Sequence, residues 1–367
     1  MRITDIARWA VVALGSATTC DALNIIVNND DGFGSANIRE FYGLLKESGH
    51  NAWIVAPATN QSGQGGRAVF TTERYLTTES EFGLIPKGAP SFGTDPNDSH
   101  IWYYNGTPAA CTFFALDYVV PRYWNGTQPD LLVAGPNFGL NAGPFLYSLS
   151  GTMGATYAAV GRGIPAISFS ASNDTQRSYK DIDRSVTAEG LPADPATLNA
   201  RLAVKLVNEL ARSAAKPGLG PGPGKQSQPL LPSGYGLNVN FPEISSAPNS
   251  SCADPPFYLT RLTGGADTDR AAYNETTGLF HYADLVPPEG TGINACINGD
   301  CWLPGETELV SKCATPVSIF TVDYDAPATR KTASVAHAMS GLVKKYDGAR
   351  RLRRDEGFLQ SRYRNQH

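Results

Sequence analysis

The stretch IIVNNDDGFGSANI, residues 25–38, carries an apolar run straight into two adjacent aspartates, Asp30 and Asp31, and then into glycine. Leu23 to Asn28 shows little alternation of polar and apolar residues, the pattern of a parallel strand buried on both faces. Residues 35–48, SANIREFYGLLKES, then place Ile38, Phe41, Tyr42, Leu44 and Leu45 at helical spacing, with Gly49 as the stop. NAWIVAP, residues 51–57, adds a second strand ended by proline. Strand, helix and strand in this order predict a β-α-β unit, and with it a parallel sheet carrying helices on its faces.

The same alternation continues along the chain. Residues 108–120 read as a helix, 129–137 as a strand, 150–163 as a helix, 164–172 as a strand, and Thr197–Ala215 as a helix. The glycine- and proline-rich stretch 213–234 reads as a flexible surface loop, after which 234–242 returns as a strand. Residues 243–315 are irregular, contain cysteine and leave room for a β-hairpin; a helix over 332–345 and a basic tail follow. The expected organisation is an α/β core over 23–242, an irregular extension over 243–331, and a C-terminal helix and tail over 332–367.

With 41% hydrophobic and 17% charged residues among 367, the chain suits a folded globular protein. A formal net charge of −4 gives no global reason to expect a nucleic-acid duplex as partner. Arg2 and Arg8, the apolar run Trp9–Leu14 and the small residues after it fit a secretory signal peptide over 1–22, with a plain first helix as the alternative. That run is too short for a bilayer, which needs about 20 apolar residues, so no membrane partner is expected. Cys252, Cys296, Cys301 and Cys313 cluster in the loop-rich region and fit two disulfides of open connectivity. Zinc is the rival reading, unsupported by any CxxC pair. Cys111, in an apolar run, reads as a buried thiol. Seven Asn-x-Ser/Thr sequons, at Asn60, Asn97, Asn105, Asn125, Asn173, Asn249 and Asn274, agree with secretion.

Open α/β sheets bind ligands beyond the carboxyl ends of their strands. Three predicted strands end in oxygen-bearing groups: Asp30 and Asp31 after the first, Asn60 to Ser62 after the second, Asn137 after the strand at 129–137. Two neighbouring carboxylates repel unless a cation neutralises them, and oxygen donors suit Mg²⁺, Mn²⁺ or Ca²⁺. The plainer reading is that the aspartates cap the following helix. A dinucleotide fingerprint is disfavoured, because Asn37 stands where a third glycine belongs and the aspartates would repel a pyrophosphate.

Taken in order, NNDDGFGSANI, VAPATNQSG, NGTPAAC, GPNFGLNAG with SGTMGA, and GLNVNFP resemble the signature blocks of the SurE-like phosphatase and 5'-nucleotidase family. The resemblance covers roughly residues 23–172, with weaker support at 234–242 and 315–323. GPN in place of GIN and the long cysteine-bearing C-terminal part look like the fungal, acid phosphatase-like branch. The resemblance implies a Rossmann-like three-layer α/β/α fold with a mostly parallel sheet and a swapped or extended C-terminal part. It also implies a homodimer or higher homo-oligomer, and divalent-metal-dependent hydrolysis of nucleoside monophosphates or other phosphate monoesters.

By this resemblance Asp30, Asp31, Ser62 and Asn137 match metal ligands, with Asn137 also near the phosphate. Asn141 matches a second asparagine near the phosphate, and Ser150, Gly151 and Thr152 match a turn that holds it. The expected chemistry is in-line attack of metal-activated water, with Asp30 or Asp31 accepting its proton and Asn141 stabilising charge. Pro144 stands where bacterial members have aspartate, and one extra residue separates Gly143 from the SGT turn, which touches quaternary contacts and substrate fit. No GxSxG elbow or RHG-type motif is present, and no DxD nucleophile motif ends the first strand. A secreted protein that binds metal and phosphate or nucleotide without turnover remains the alternative. Trp102, Tyr103 and Tyr104 read as core or as a base-stacking surface. Asn60 and Asn105 lie too near the expected ligands to carry glycans.

Overall fold

The apolar run at the start forms β1 (Asn24–Asn28), with four of its five residues buried. The computed structural model describes residues 22–172, 175–215, 229–245, 252–263, 268–285 and 298–346. After β1 come α1 (Ala36–Glu47), β2 (Asn51–Pro57), β3 (Phe92–Asp95) and β4 (Asp98–Tyr104). A helical stretch follows as α2 (Pro108–Phe114), a single π-helical turn over 115–119, and α3 (Val120–Tyr123). Then come β5 (Leu131–Phe138), α4 (Pro144–Leu149), α5 (Gly151–Gly161), β6 (Ala166–Ala171), α6 (Pro195–Ala214) and β7 (Tyr235–Phe241).

These strands form one sheet in the order β4-β2-β1-β5-β6-β7, with every neighbouring pair parallel. β3 folds back antiparallel on β4 at one edge. From β1 the chain winds outward through β2 and β4, then returns to β5 on the other side of β1. The strand order therefore reverses between β1 and β5, the place where open α/β sheets open a crevice at their carboxyl edge.

Helices cover both faces, which explains why β1 does not alternate. Ile25 and Val27 face a core built with Phe41 and Leu45 of α1 and Leu206 of α6. Ile26 faces a second core with Cys111 and Phe114 of α2 and Met153 of α5. Trp102 and Tyr104 belong to that second core, with ring centroids 6.1 and 4.7 Å from Phe114, so the core reading of these aromatics holds. Cys111 is a buried free thiol, as expected.

The C-terminal part is more ordered than its sequence suggests. β8 (Phe257–Thr260), β11 (Thr315–Thr321) and β12 (Tyr324–Asp325) extend the main sheet beyond β7, β11 running antiparallel to β7 and parallel to β8. β9 (Thr268–Asn274) and β10 (Leu279–Leu285) make the separate hairpin, and α7 (Glu306–Val310) precedes β11. The helix expected over 332–345 is α8 (Arg330–Ala338), capped by Thr329 Oγ1, which accepts from Thr332 N. It ends early because Lys344 leaves the helical path to pair by backbone hydrogen bonds with Phe257 and Leu259 of β8. The loop expected over 213–234 begins later: Ser213 and Ala214 finish α6, and Leu231 is fully buried. Residues 216–228 lie outside the described residues, as does the proposed signal segment up to Asp21. No helix among the described residues is long and apolar enough to cross a membrane.

Cys252 and Cys313 form a disulfide across 61 residues, tying the segment before β8 to the end of the α7 turn. Cys301 is also disulfide-bonded. Closing a loop of that length removes about 4 kcal/mol of unfolded-state entropy. The double replacement Cys252→Ser and Cys313→Ser is expected to lower stability by about 2–4 kcal/mol in urea unfolding.

Candidate active site

β1 ends at Asn28 and the chain turns away at once, helped by Gly32 at φ +96°, a conformation glycine adopts without strain. Two amides fasten this turn. Asn28 Nδ2 donates to Pro108 O (3.0 Å) and Thr112 Oγ1 (3.1 Å), while Asn29 Nδ2 donates to Gly32 O and Ser35 Oγ. Between these anchors Asp30 and Asp31 are 3% and 2% exposed. Asp30 Oδ1 accepts from Thr152 Oγ1 at 2.7 Å, and the carboxylate also receives the backbone amides of Gly151 and Thr152. It thus sits on the N-terminus of α5, where a helix favours negative charge. Gly151 makes the approach possible, since a Cβ there would stand 2.8 Å from Asp30 Cβ.

Asp31 is held more loosely, accepting from Phe138 N at 3.3 Å. Burial raises the pKa of both carboxyls. For Asp31 the rise is large, because the charges of Asp30 and Glu81 add to burial. Among the described residues no lysine, arginine or histidine pairs with either. Among those residues, then, nothing positively charged relieves the repulsion between the two buried acids.

The loop after β2 is clamped to the same turn. Gln61 N donates to Asp30 O at 2.7 Å, and Gln176 bridges Asp31 O to Asn60 Nδ2. Ser62 follows on this loop, solvent-exposed, its backbone N–H on Asn60 Oδ1. Asn60 is thus built into the site. Gly65 closes the loop onto the joint before α5, its N–H 2.8 Å from Leu149 O. The packing is close enough that a Cβ on Gly154 of α5 would meet Gly65 O at 2.0 Å.

Asn137 arrives from β5 through an irregularity. The register with β6 shifts between Ala134 and Asn137, so Gly135 and Pro136 form a bulge that re-aims the strand end. Asn137 Nδ2 donates to Phe138 O and Gly139 O, which leaves Oδ1 as the atom available to a ligand.

The phosphate-turn residues are arranged differently from expectation. Thr152 and the amides of Gly151 and Thr152 are committed to Asp30, and Ser150 Oγ caps α5 by accepting from Met153 N at 3.1 Å. They hold the carboxylate in place. Asn141 is fixed by its backbone and side chain: its N donates to Asn240 Oδ1, and its O accepts from Asn238 and Asn240. Its Nδ2 donates to Ser170 Oγ at 2.8 Å, so one N–H of that amide is still available. Sequence reading missed Asn238, Asn240 and Ser170 as parts of this network. The polar residues alternating within the apolar strand NVNF were the signal for the two asparagines.

A family model described as survival protein SurE matches residues 25–263. The chain belongs to the SurE family. An acid phosphatase of Yarrowia lipolytica is 43% identical over 307 residues, spanning 83% of this chain and 80% of that protein. A 5'-nucleotidase SurE of Desulfovibrio desulfuricans is 32% identical over 163 residues, 44% of this chain and 54% of that protein. The crystal structure of the SurE protein from Aquifex aeolicus aligns with a TM-score of 0.52 at 21% identity, over 85% of this chain and 98% of that one. That likeness establishes the SurE fold, a Rossmann-like α/β arrangement around a mostly parallel sheet. The SurE family match stops at residue 263, short of α7, β11 and α8.

Proposed function

We propose that this SurE-family chain is a divalent-metal-dependent phosphomonoesterase acting on nucleoside monophosphates or similar phosphate monoesters. By family it is a phosphoric monoester hydrolase. The observation that carries the metal is the buried Asp30–Asp31 pair, beside which no cation stands among the described residues. The donors fit a hard cation: two carboxylates, the Asn137 amide oxygen and the Ser62 hydroxyl, all oxygen. Asn29 Oδ1, buried in the same turn without a donor, adds another oxygen lacking a hydrogen. Among the described residues no group of three His, Cys, Asp or Glu comes together, so a zinc-type set is not offered.

Asp30, Asp31, Ser62 and Asn137 would hold Mg²⁺ or Mn²⁺, with Ca²⁺ as a stand-in of similar chemistry. When bound, such a cation polarises the phosphoryl group and makes water more acidic. The protein's own groups do the rest. Asp30, oriented by Thr152 Oγ1 and by the amides at the start of α5, is the fixed anchor, with lone pairs left for the cation. Asp31, with a single amide hydrogen bond, keeps lone pairs free and takes the proton of the water attacking phosphorus in line, while the opposite bond to the ester oxygen breaks and the leaving alcohol takes a proton from solvent. The remaining N–H of Asn141 donates to an equatorial phosphoryl oxygen, where charge grows in the transition state.

Secretion is part of this reading, supported by the Cys252–Cys313 disulfide and by exposed sequons at Asn97, Asn125 and Asn274. The test is phosphate release from p-nitrophenyl phosphate and a panel of nucleoside monophosphates. Protein stripped with EDTA is expected to be inactive and to recover with Mg²⁺ or Mn²⁺. Release that ignores chelation would remove the metal from the account, and no release under any condition would leave a binding protein.

A further inference from the structure

Glu306 opens α7, more than 40 positions beyond the end of the SurE match, yet its side chain reaches the candidate site's supporting network. It is fully buried. One carboxyl oxygen accepts from Gly143 N at 2.8 Å and the other from Asn238 Nδ2 at 2.9 Å. Ser318 of β11 makes a third hydrogen bond to the same carboxyl. The backbone before Glu306 is fixed in turn, since Arg261 N donates to Pro304 O just past β8.

These contacts bracket Asn141. Gly143 lies two residues after it, and the Asn238 amide that donates to Glu306 also donates to Asn141 O at 2.9 Å. The 139–143 loop joins Asn137, at the end of β5, to the α4–α5 segment that seats Asp30. We propose that Glu306 is a positioning residue: from the C-terminal extension it fixes the 139–143 loop so that Asn141 presents its free N–H to the substrate phosphate. The role in catalysis rests on the phosphatase reading above; the tether itself does not.

The burial of this acid supports a role beyond packing. Burial, with some contribution from Asp325, pushes its pKa up to about 8, although three hydrogen bonds favour its charged form. The unfolded chain releases that proton near pH 4.5, so the folded state binds more protons between about pH 4.5 and 8. Stability from this group is therefore present at low pH and lost as pH rises through that window. A residue with that sign is a stability cost at neutral pH, unlike a purely structural contact.

Glu306→Gln keeps the shape but replaces one acceptor oxygen with an NH₂ group, which cannot accept from Gly143 N or Asn238. The experiment compares wild type, Glu306→Gln, Asn141→Ala and the double variant in phosphate release from p-nitrophenyl phosphate with Mn²⁺. Amide exchange over 139–143 and the melting temperature are measured on the same proteins. Glu306→Gln is expected to lower kcat about tenfold or more, to speed exchange at 139–143, and to leave the melting temperature level or higher at pH 7. In the Asn141→Ala background it should add little, because it acts through Asn141. Wild-type kcat/KM in Glu306→Gln, its full factor retained on top of Asn141→Ala, or unchanged exchange would each overturn the proposal. A wild type that releases no phosphate removes the phosphatase reading alone, and the exchange result still decides whether Glu306 holds the loop.

Discussion

Asp30→Asn is expected to lower kcat/KM by about 10³-fold or more while the chain still folds. The substitution removes half the charge that would hold the cation. The partners of Asp30, which are Thr152 Oγ1 and the amides at the start of α5, still find one acceptor oxygen in asparagine. Folding is spared because the pair is a burden without metal. Burial raises both pKa values in the folded chain, so above about pH 4 the folded state binds more protons than the unfolded one. Metal-free stability must then fall as pH rises, and Asp30→Asn should flatten that fall. Melting curves in EDTA from pH 4 to 8, set beside assays with Mn²⁺, check both halves. A variant that keeps wild-type turnover, or one that unfolds outright, would contradict this assignment.

Gly154→Ala is the second large effect, and it reaches the site through packing alone. The added Cβ meets Gly65 O at 2.0 Å and Gly65 C at 2.6 Å. Neither partner is a side chain that can swing aside, so α5 and the 61–66 loop must separate. α5 carries the groups that seat Asp30, and the loop carries Ser62 and the Gln61 clamp on Asp30 O. A displacement of about 1 Å between such elements can cost about 10²-fold in rate, and the overpacking itself about 1–3 kcal/mol. Gly161→Ala on the same helix is the control, since its Cβ would meet nothing within 4 Å. It should be neutral, or stabilising by up to about 1 kcal/mol. Equal behaviour of the two variants in activity and urea unfolding would rule out the contact as a determinant.

Much of the fold could be read because its signals are local. The unalternating apolar run of β1 is a direct consequence of cores on both faces, with Ile26 in one and Ile25 and Val27 in the other. The placement of Asp30, Asp31 and Asn137 at one sheet edge followed from strand ends alone. What stayed hidden depends on contacts distant in sequence. Thr152 was expected to hold phosphate, but nothing local reveals that its hydroxyl turns to a carboxylate 122 residues away. Glu306 lies in a stretch with no strong periodicity, and its importance comes from Gly143, 163 residues earlier. The end of α8 was missed for a similar reason: Met339 and Val343 continue the apolar spacing, yet Lys344 is drawn off to pair with β8.

The central claim is that the Asp30–Asp31 pair exists to hold a cation used in phosphate ester hydrolysis. Calorimetric titration of Mn²⁺ into EDTA-stripped, dialysed protein tests it most directly, with phosphate release followed on the same samples. The account predicts one saturable site in wild type, activity that rises in step with its occupancy, and loss of both in Asp31→Asn. Binding of equal strength in Asp31→Asn, or full phosphate release before any Mn²⁺ is added, would contradict it.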